Sequence, residues 1–200
     1  MSKTAALESD LQEFLDALRE SLLAALPDAG PPRAGFERLD RNMLDRALIS
    51  DRPPQSAPAC RHLADSYAAL DGAGPLLTRL AQAIKAIEPS LRWSDAIAPG
   101  QPSFLKETYA EAMIVGAGGL AESKAVEIGL SILAPNTDYP NHRHPPEELY
   151  IALSEGDWRQ NADPWVTPGK GGLIYNPFGI THAMRSGDKP LFAIWSLPLP

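Results

Sequence analysis

Cysteine is nearly absent: Cys60 is the single one in 200 residues. One thiol cannot close an internal disulfide, and it suits a reducing compartment. Histidine is almost as scarce, at four. No run approaches the roughly 18 apolar residues that a membrane-spanning helix requires, so no span is expected. The opening MSKTAALESDLQEF meets acidic residues before any apolar run, which argues against a signal peptide. Basic charge is in deficit, with 18 Lys and Arg against 25 Asp and Glu, a net charge of -7 and no Lys/Arg cluster. That balance excludes the electrostatic footprint of a nucleic-acid or anionic-membrane binder, though not a cationic small-molecule substrate. There is no repeat of solenoid period and no low-complexity tail. The absences leave a cytoplasmic, soluble protein as the expectation.

What is present is ordinary globular material, 44% hydrophobic and 22% charged, in a chain long enough to bury a core. The two halves differ. Leu7, Leu11, Phe14, Leu15, Leu18, Leu22 and Leu26 recur at helical spacing, until Pro27 and Gly30-Pro31-Pro32 end the pattern. A second helix is expected from about Gly35 to Ile49, with Met43, Leu44, Ala47 and Leu48 on its stripe, stopping before Asp51-Arg52-Pro53-Pro54. A third carries His62, Leu63, Tyr67 and Leu70 and breaks at Gly72 and Gly74; a fourth runs from Leu76 to Ile87, before Pro89. From Pro99 the signals change to short runs rich in Ile, Leu, Tyr and Trp between glycines and prolines. These are Ala112 to Val115, Ala125 to Leu133, Leu149 to Leu153, Leu173 to Tyr175 and Leu191 to Trp195. Such runs predict an antiparallel sandwich or barrel, although several are continuously apolar rather than alternating. The expected class is α+β, helices first and barrel second, joined near Ile97 to Pro102.

Two of the four histidines fall in NTDYPNHRHPPEELYIAL, Asn136 to Leu153. In a strand, residues two apart share a face, so His142 and His144 project together, and neutral imidazole is a common metal ligand. Glu148 can reach the same ion if Pro145-Pro146 bends the chain, and Tyr150 shares the face of Glu148. Glu147 points the other way and is the second choice of carboxylate. The pair of histidines alone is equally compatible with a polar, proline-rich loop. The second half of the pattern, Gly171-x5-Pro177-x-Gly179-x2-His182, reads as a strand, a tight turn and a return strand that delivers one more histidine.

Together these segments resemble the two motifs of the cupin superfamily, G-x5-HxH-x3/4-E-x6-G and G-x5-PxG-x2-H-x3-N. Asn136 stands in place of the leading glycine, Gly156 comes one position late, and Ser186 replaces the final asparagine. None of these departures removes a ligand position. The resemblance implies a double-stranded β-helix, jelly-roll-like, over residues 103–200, capped by a helical region over residues 1–102. It also implies one divalent transition metal held by His142, His144, Glu148 and His182. Whether His142 bonds to the ion or only hydrogen-bonds beside it stays open. Zinc and iron come first for this ligand set, and manganese, nickel or cobalt also suit it.

A finer resemblance rests on Tyr139-x2-His142-x-His144-x3-Glu148-x-Tyr150, with Trp158 beyond the strand and a long helical N-terminal region. In these features the chain is similar to the bacterial cupin-type dimethylsulfoniopropionate lyases, the Q-type branch in particular. That implies a carbon–sulfur lyase releasing dimethyl sulfide and acrylate by base-catalysed β-elimination. The family implies Tyr150 as the base with Tyr139 orienting or assisting; from the residues alone either tyrosine is able to serve. A sulfonium cation suits aromatic faces, each contributing roughly 0.5–2 kcal/mol. Trp195, Trp158, Tyr139 and Phe178 are the candidates, although barrel core is the more usual place for each tryptophan. His62 reads as a helix-surface or core residue, and Cys60 has no context that marks a nucleophile. Two other readings stand beside the lyase. One is a metal-dependent cupin dioxygenase, which would consume oxygen. The other is a zinc-binding cupin sensor of the anti-sigma type, weakened because the N-terminal half offers only Cys60 and His62 as ligands. A homodimer is compatible with all three.

Overall fold

The structure is a computed structural model, and it describes residues 3–49 and 52–200. Apolar residues at three- and four-residue spacing form α1 (Lys3–Ala25), with Leu11, Phe14, Leu15, Leu18 and Leu22 buried along one side. Gly30, at a φ of 104°, then opens α2 (Pro31–Asn42), whose first positions are prolines, where a missing N–H leaves nothing unpaired. A 3-10 turn at Pro58–His62 leads into α3 (Leu63–Ala68), and α4 (Pro75–Ile87) buries Leu77, Leu80, Ile84 and Ile87 while packing on α1. α5 (Leu105–Thr108) is a single turn. No described helix is long and apolar enough to cross a membrane.

The strands are β1 (Ala47–Ile49), β2 (Trp93–Ser94), β3 (Tyr109–Val115), β4 (Ala121–Glu122), β5 (Val126–Leu133), β6 (Asp138–His142), β7 (Glu148–Ala152), β8 (Asp157–Gln160), β9 (Leu173–Asn176), β10 (His182–Arg185) and β11 (Leu191–Pro198). Among the described residues they make a large sheet in the order β1-β4-β3-β5-β11-β7-β9, with β2 beside β3, and a small sheet β6-β10-β8. Every pairing is antiparallel except β3 with β4. The inner faces of the two sheets meet in one apolar cluster, to which Leu133, Tyr150, Ala193 and Trp195 come from the large sheet and Tyr139, Trp158 and Met184 from the small one. The expected α+β order, helices first and an antiparallel two-sheet barrel second, is what the chain adopts.

The outer face of the large sheet is not solvated. Ile128, Leu130, Ile132, Leu149, Ile151, Phe192 and Ile194 belong to the same core as the stripes of α1, α2 and α4. A strand buried on both faces has no reason to alternate, and this explains the continuous apolar runs in β5, β7 and β11.

Two helices differ from expectation. The second begins at Pro31 and ends at Asn42, not Ile49, and Ala47–Ile49 pairs with β4 instead. A strand pairing outweighs the weak local helical preference of that segment. The expected stop at Asp51 lies outside the described residues. The third helix shrinks to Leu63–Ala68 because the residues from Pro58 to His62 close a tighter 3-10 turn.

Candidate active site

The histidines and Glu148 arrive from both sheets at one end of the barrel. β6 ends at His142, which lies directly across from His182, the first residue of β10. β7 begins at Glu148 on the opposite sheet. Between them Arg143 to Glu147 form a short connection, so His144 stands in the bend and not in a strand. The turn that delivers His182 closes with the Ile180 N–H donating to the Pro177 carbonyl at 3.1 Å, and Gly179 takes the positive φ of 65° it requires. Asn136, where a glycine was expected, sits at a φ of 55°, a conformation asparagine tolerates better than most residues.

His144 Nε2 lies 3.4 Å from Glu148 Oε2, and His182 Nε2 lies 3.3 Å from the same oxygen. The ligand atoms of the three residues all fall within 4.8 Å of one another. Two donors bonded to one tetrahedral zinc at about 2.1 Å stand about 3.4 Å apart, so the spacing fits a shared ion. The ring nitrogens agree. Nδ1 of His142, His144 and His182 faces the carbonyls of Pro140, Pro146 and Ile180 at 3.1, 3.0 and 3.1 Å. An imidazole whose Nδ1–H is donated to a carbonyl presents the Nε2 lone pair forward. His182 Nε2 is buried, and its contact with Glu148 Oε2 at 3.3 Å falls short of hydrogen-bonding geometry; a metal ion held by both would satisfy them.

His142 is adjacent without joining the tight trio, its ring centroid 4.0 Å from that of His182. Burial, and then the His182 charge, push its pKa down to about 4. Burial works to raise Glu148, yet His144 and His182 outweigh it and hold the carboxyl down to about 2. Asn176 donates to Glu148 Oε2 at 3.0 Å, and Gln160 donates to Asn176 Oδ1 at 2.9 Å, fixing the carboxylate from behind. Glu147 faces the other way, as alternation requires. It is fully buried and accepts from Arg38 of α2 at 2.6 and 2.8 Å and from the Tyr175 hydroxyl at 2.7 Å. It stands outside the trio.

A cavity of about 280 Å³ opens beside the trio, with Tyr139, Tyr150 and Trp195 in its wall. Tyr150 shares the inward face of β7 with Glu148 and pairs in register with Trp195 of β11. Tyr139 lies edge-on to His142 at 4.7 Å between ring centroids, and Tyr109 packs on Tyr139 at 4.6 Å. Burial, with the neighbouring Glu148, raises the Tyr150 phenol well above its usual range; burial and Glu111 push Tyr139 up to about 12. Trp158 and Phe178 do not reach this wall. Trp158 is buried behind Tyr150, 6.2 Å between ring centroids, and Phe178 is 60% exposed on the turn, with the Arg38 guanidinium 6.0 Å from its ring. The sequence reading missed Tyr109, Glu111, Met113, Glu127, Met184 and Leu197, which also line the cavity, and Asn176, which orients a ligand. Met113, Met184 and Leu197 look like ordinary core in the sequence, and nothing in the spacing sets the others apart.

The sequence model of the dimethylsulfoniopropionate lyase family matches residues 33–193. The chain belongs to that family. Within it, the chain is 27% identical over 191 residues to the dimethylsulfoniopropionate lyase DddQ of Ruegeria pomeroyi, covering 90% of this chain and 88% of the relative. It is 32% identical over 142 residues to the DddL protein of Cereibacter sphaeroides, covering 70% of this chain and 58% of that longer relative. Two solved structures share the fold of this family member. One, described as of the lyases RdDddP and RnDddQII, has a TM-score of 0.74 at 21% identity over 96% of this chain and 94% of the other. The second, DddQ from Ruegeria pomeroyi DSS-3, has a TM-score of 0.67 at 22% identity over 94% and 92%.

Proposed function

We propose that this protein is a carbon–sulfur lyase that cleaves dimethylsulfoniopropionate to dimethyl sulfide and acrylate. The observation that carries the reading is the cavity itself: three phenols and an indole share a space of about 280 Å³ with His142, His144 and Glu148, beside the His–Glu–His trio, in a chain of this family. Family membership favours the lyase over a dioxygenase or a sensor.

His144, Glu148 and His182 would hold one divalent ion, with His142 beside it. Bound there, the ion supplies a Lewis acid for the substrate carboxylate, making the adjacent C–H more acidic. The elimination itself needs one base. A phenolate oxygen takes the proton from the carbon next to the carboxylate, the C–H electron pair becomes the new C=C bond, and the C–S pair leaves with sulfur as neutral dimethyl sulfide. We assign Tyr150 as that base, because it stands on the same inward face as Glu148, and Tyr139 as its orienting partner across the cavity. Burial holds both phenols protonated at neutral pH, so either acts as a base only where positive charge offsets that burial. Trp195 offers its face to the sulfonium.

The same reading takes zinc or iron as the ion, the cytoplasm as the location, a homodimer as the assembly and residues 1–102 as a cap on the barrel of residues 103–200. Metal analysis and sedimentation test the ion and the assembly. The activity is tested by incubating purified, metal-replete protein with dimethylsulfoniopropionate and measuring dimethyl sulfide by gas chromatography. Equal amounts of dimethyl sulfide and acrylate are expected; no dimethyl sulfide overturns the reading.

A further inference from the structure

The substrate proposed above carries a permanent positive charge that donates no N–H bond. A protein can recognise such a group with an aromatic face and with an anionic point charge. Trp195 supplies the face. We propose that Glu111 supplies the charge, acting as counter-ion to the sulfonium and so selecting a cation over an uncharged group of the same shape. This rests on the lyase reading for the identity of the cation.

The placement comes from the strands. Alternation along β3 sends Tyr109, Glu111 and Met113 to one face, and all three line the cavity. In the next row Tyr150, Trp195, Gly129 and Met113 stand side by side across β7, β11, β5 and β3. Because Gly129 has no side chain, the Trp195 indole lies across β5 toward β3. The indole and the Glu111 carboxylate therefore border the same part of the cavity. Among the described residues, no lysine or arginine lines that space. Its other carboxylates differ in their settings. Glu148 is engaged by His144, His182 and Asn176, and the Glu127 side chain lies beside Gly116. Glu111 is oriented by the Tyr109 hydroxyl, which donates to Oε2 at 2.7 Å. Burial and the charges of Glu127 and Glu148 make the ionised form of Glu111 costly, and a substrate cation would relieve that cost. Arg52 and Arg92 line an adjoining cavity that shares Glu111, Met113 and Trp195 with this one.

The chemistry gives this role a kinetic sign. Sulfur loses its charge as the C–S bond breaks, so a counter-ion holds the bound substrate more tightly than the transition state. Removing such an interaction raises KM and does not lower kcat. A base or an acid in the same place would show the opposite pattern.

The test compares dimethylsulfoniopropionate with 4-methylpentanoate, which has the same skeleton with a neutral CH in place of the sulfonium. In Glu111→Gln the amide still accepts from Tyr109 but carries no charge. KM should rise by about tenfold or more, the Ki of 4-methylpentanoate should stay within about twofold, and kcat should not fall by more than about threefold. Glu111→Asp, which keeps the charge, should recover most of the loss in KM. The proposal is overturned if KM is unchanged, as it would be were Glu111 already neutralised from the adjoining cavity. It is equally overturned if KM and Ki rise together, if kcat falls with KM intact, or if Asp behaves as Gln does. Should the wild type release no dimethyl sulfide, the lyase reading fails separately. Calorimetric affinities for the same two molecules would then still show whether Glu111→Gln abolishes the preference for the cation.

Discussion

Tyr150 carries the chemistry in this reading through a single oxygen, because its ring belongs to the barrel core. Tyr150→Phe keeps that ring and leaves the trio intact. Turnover should fall by about 10²–10⁴-fold, the scale of losing a general base, while metal content and substrate affinity persist. Tyr139→Phe should cost less. Steady-state kinetics on the two variants decide the roles, and a dead Tyr139→Phe beside a near-normal Tyr150→Phe would exchange them. The ligands are separable in the same way. Replacing His144, Glu148 or His182 by alanine should lower bound metal measured by elemental analysis, since each supplies an atom to the trio. His142→Ala should retain more metal than those three, because its ring neighbours His182 outside the tight group. Full occupancy in all four variants would place the ion elsewhere.

At the scale of elements, β5 and β11 act as a pair. Gly129 faces Trp195 in register, and a methyl group at Gly129 would overlap the indole and come within 2.7 Å of the Ala112 carbonyl. Gly129→Ala should destabilise by about 1–3 kcal/mol, measured by urea unfolding, and should raise KM by displacing the indole. A variant with wild-type stability and KM would mean that Trp195 has freedom the packing denies. This pairing shows where the sequence was readable. His182 and its turn were visible because proline and glycine mark positions with fixed dihedral demands. α1 and α4 were visible because one face of each helix is apolar. The ends of α2 and the strand at Ala47–Ile49 were not, because that strand exists only through its pairing with β4, some 70 residues away. Glu111 was hidden for a similar reason. An isolated glutamate in an apolar run carries no local mark, and only the register of β3 with β5 brings it to the cavity.

At the scale of the molecule, one core runs from the helices through the outer face of the large sheet. Fully burying one leucine or isoleucine side chain is worth about 1.5–3 kcal/mol, so stripping the helices exposes a wide apolar surface. Residues 103–200 expressed alone should be aggregation-prone or inactive; a monodisperse, fully active fragment would show that the helical half is dispensable. The Arg38–Glu147 pair ties α2 to the residue next to Glu148, so the helical half also touches the candidate site. The two sheets are unequally sheltered. β5, β7 and β11 are covered on both faces, whereas the small sheet leaves Asp138 and Asn141 exposed. Its three strands should exchange amide hydrogens for deuterium sooner than β5 and β11. His182 belongs to the less covered sheet and Glu148 to the more covered one, so a bound ion would act as a rivet between the two layers. Chelation should therefore speed amide exchange more in β10 than in β7.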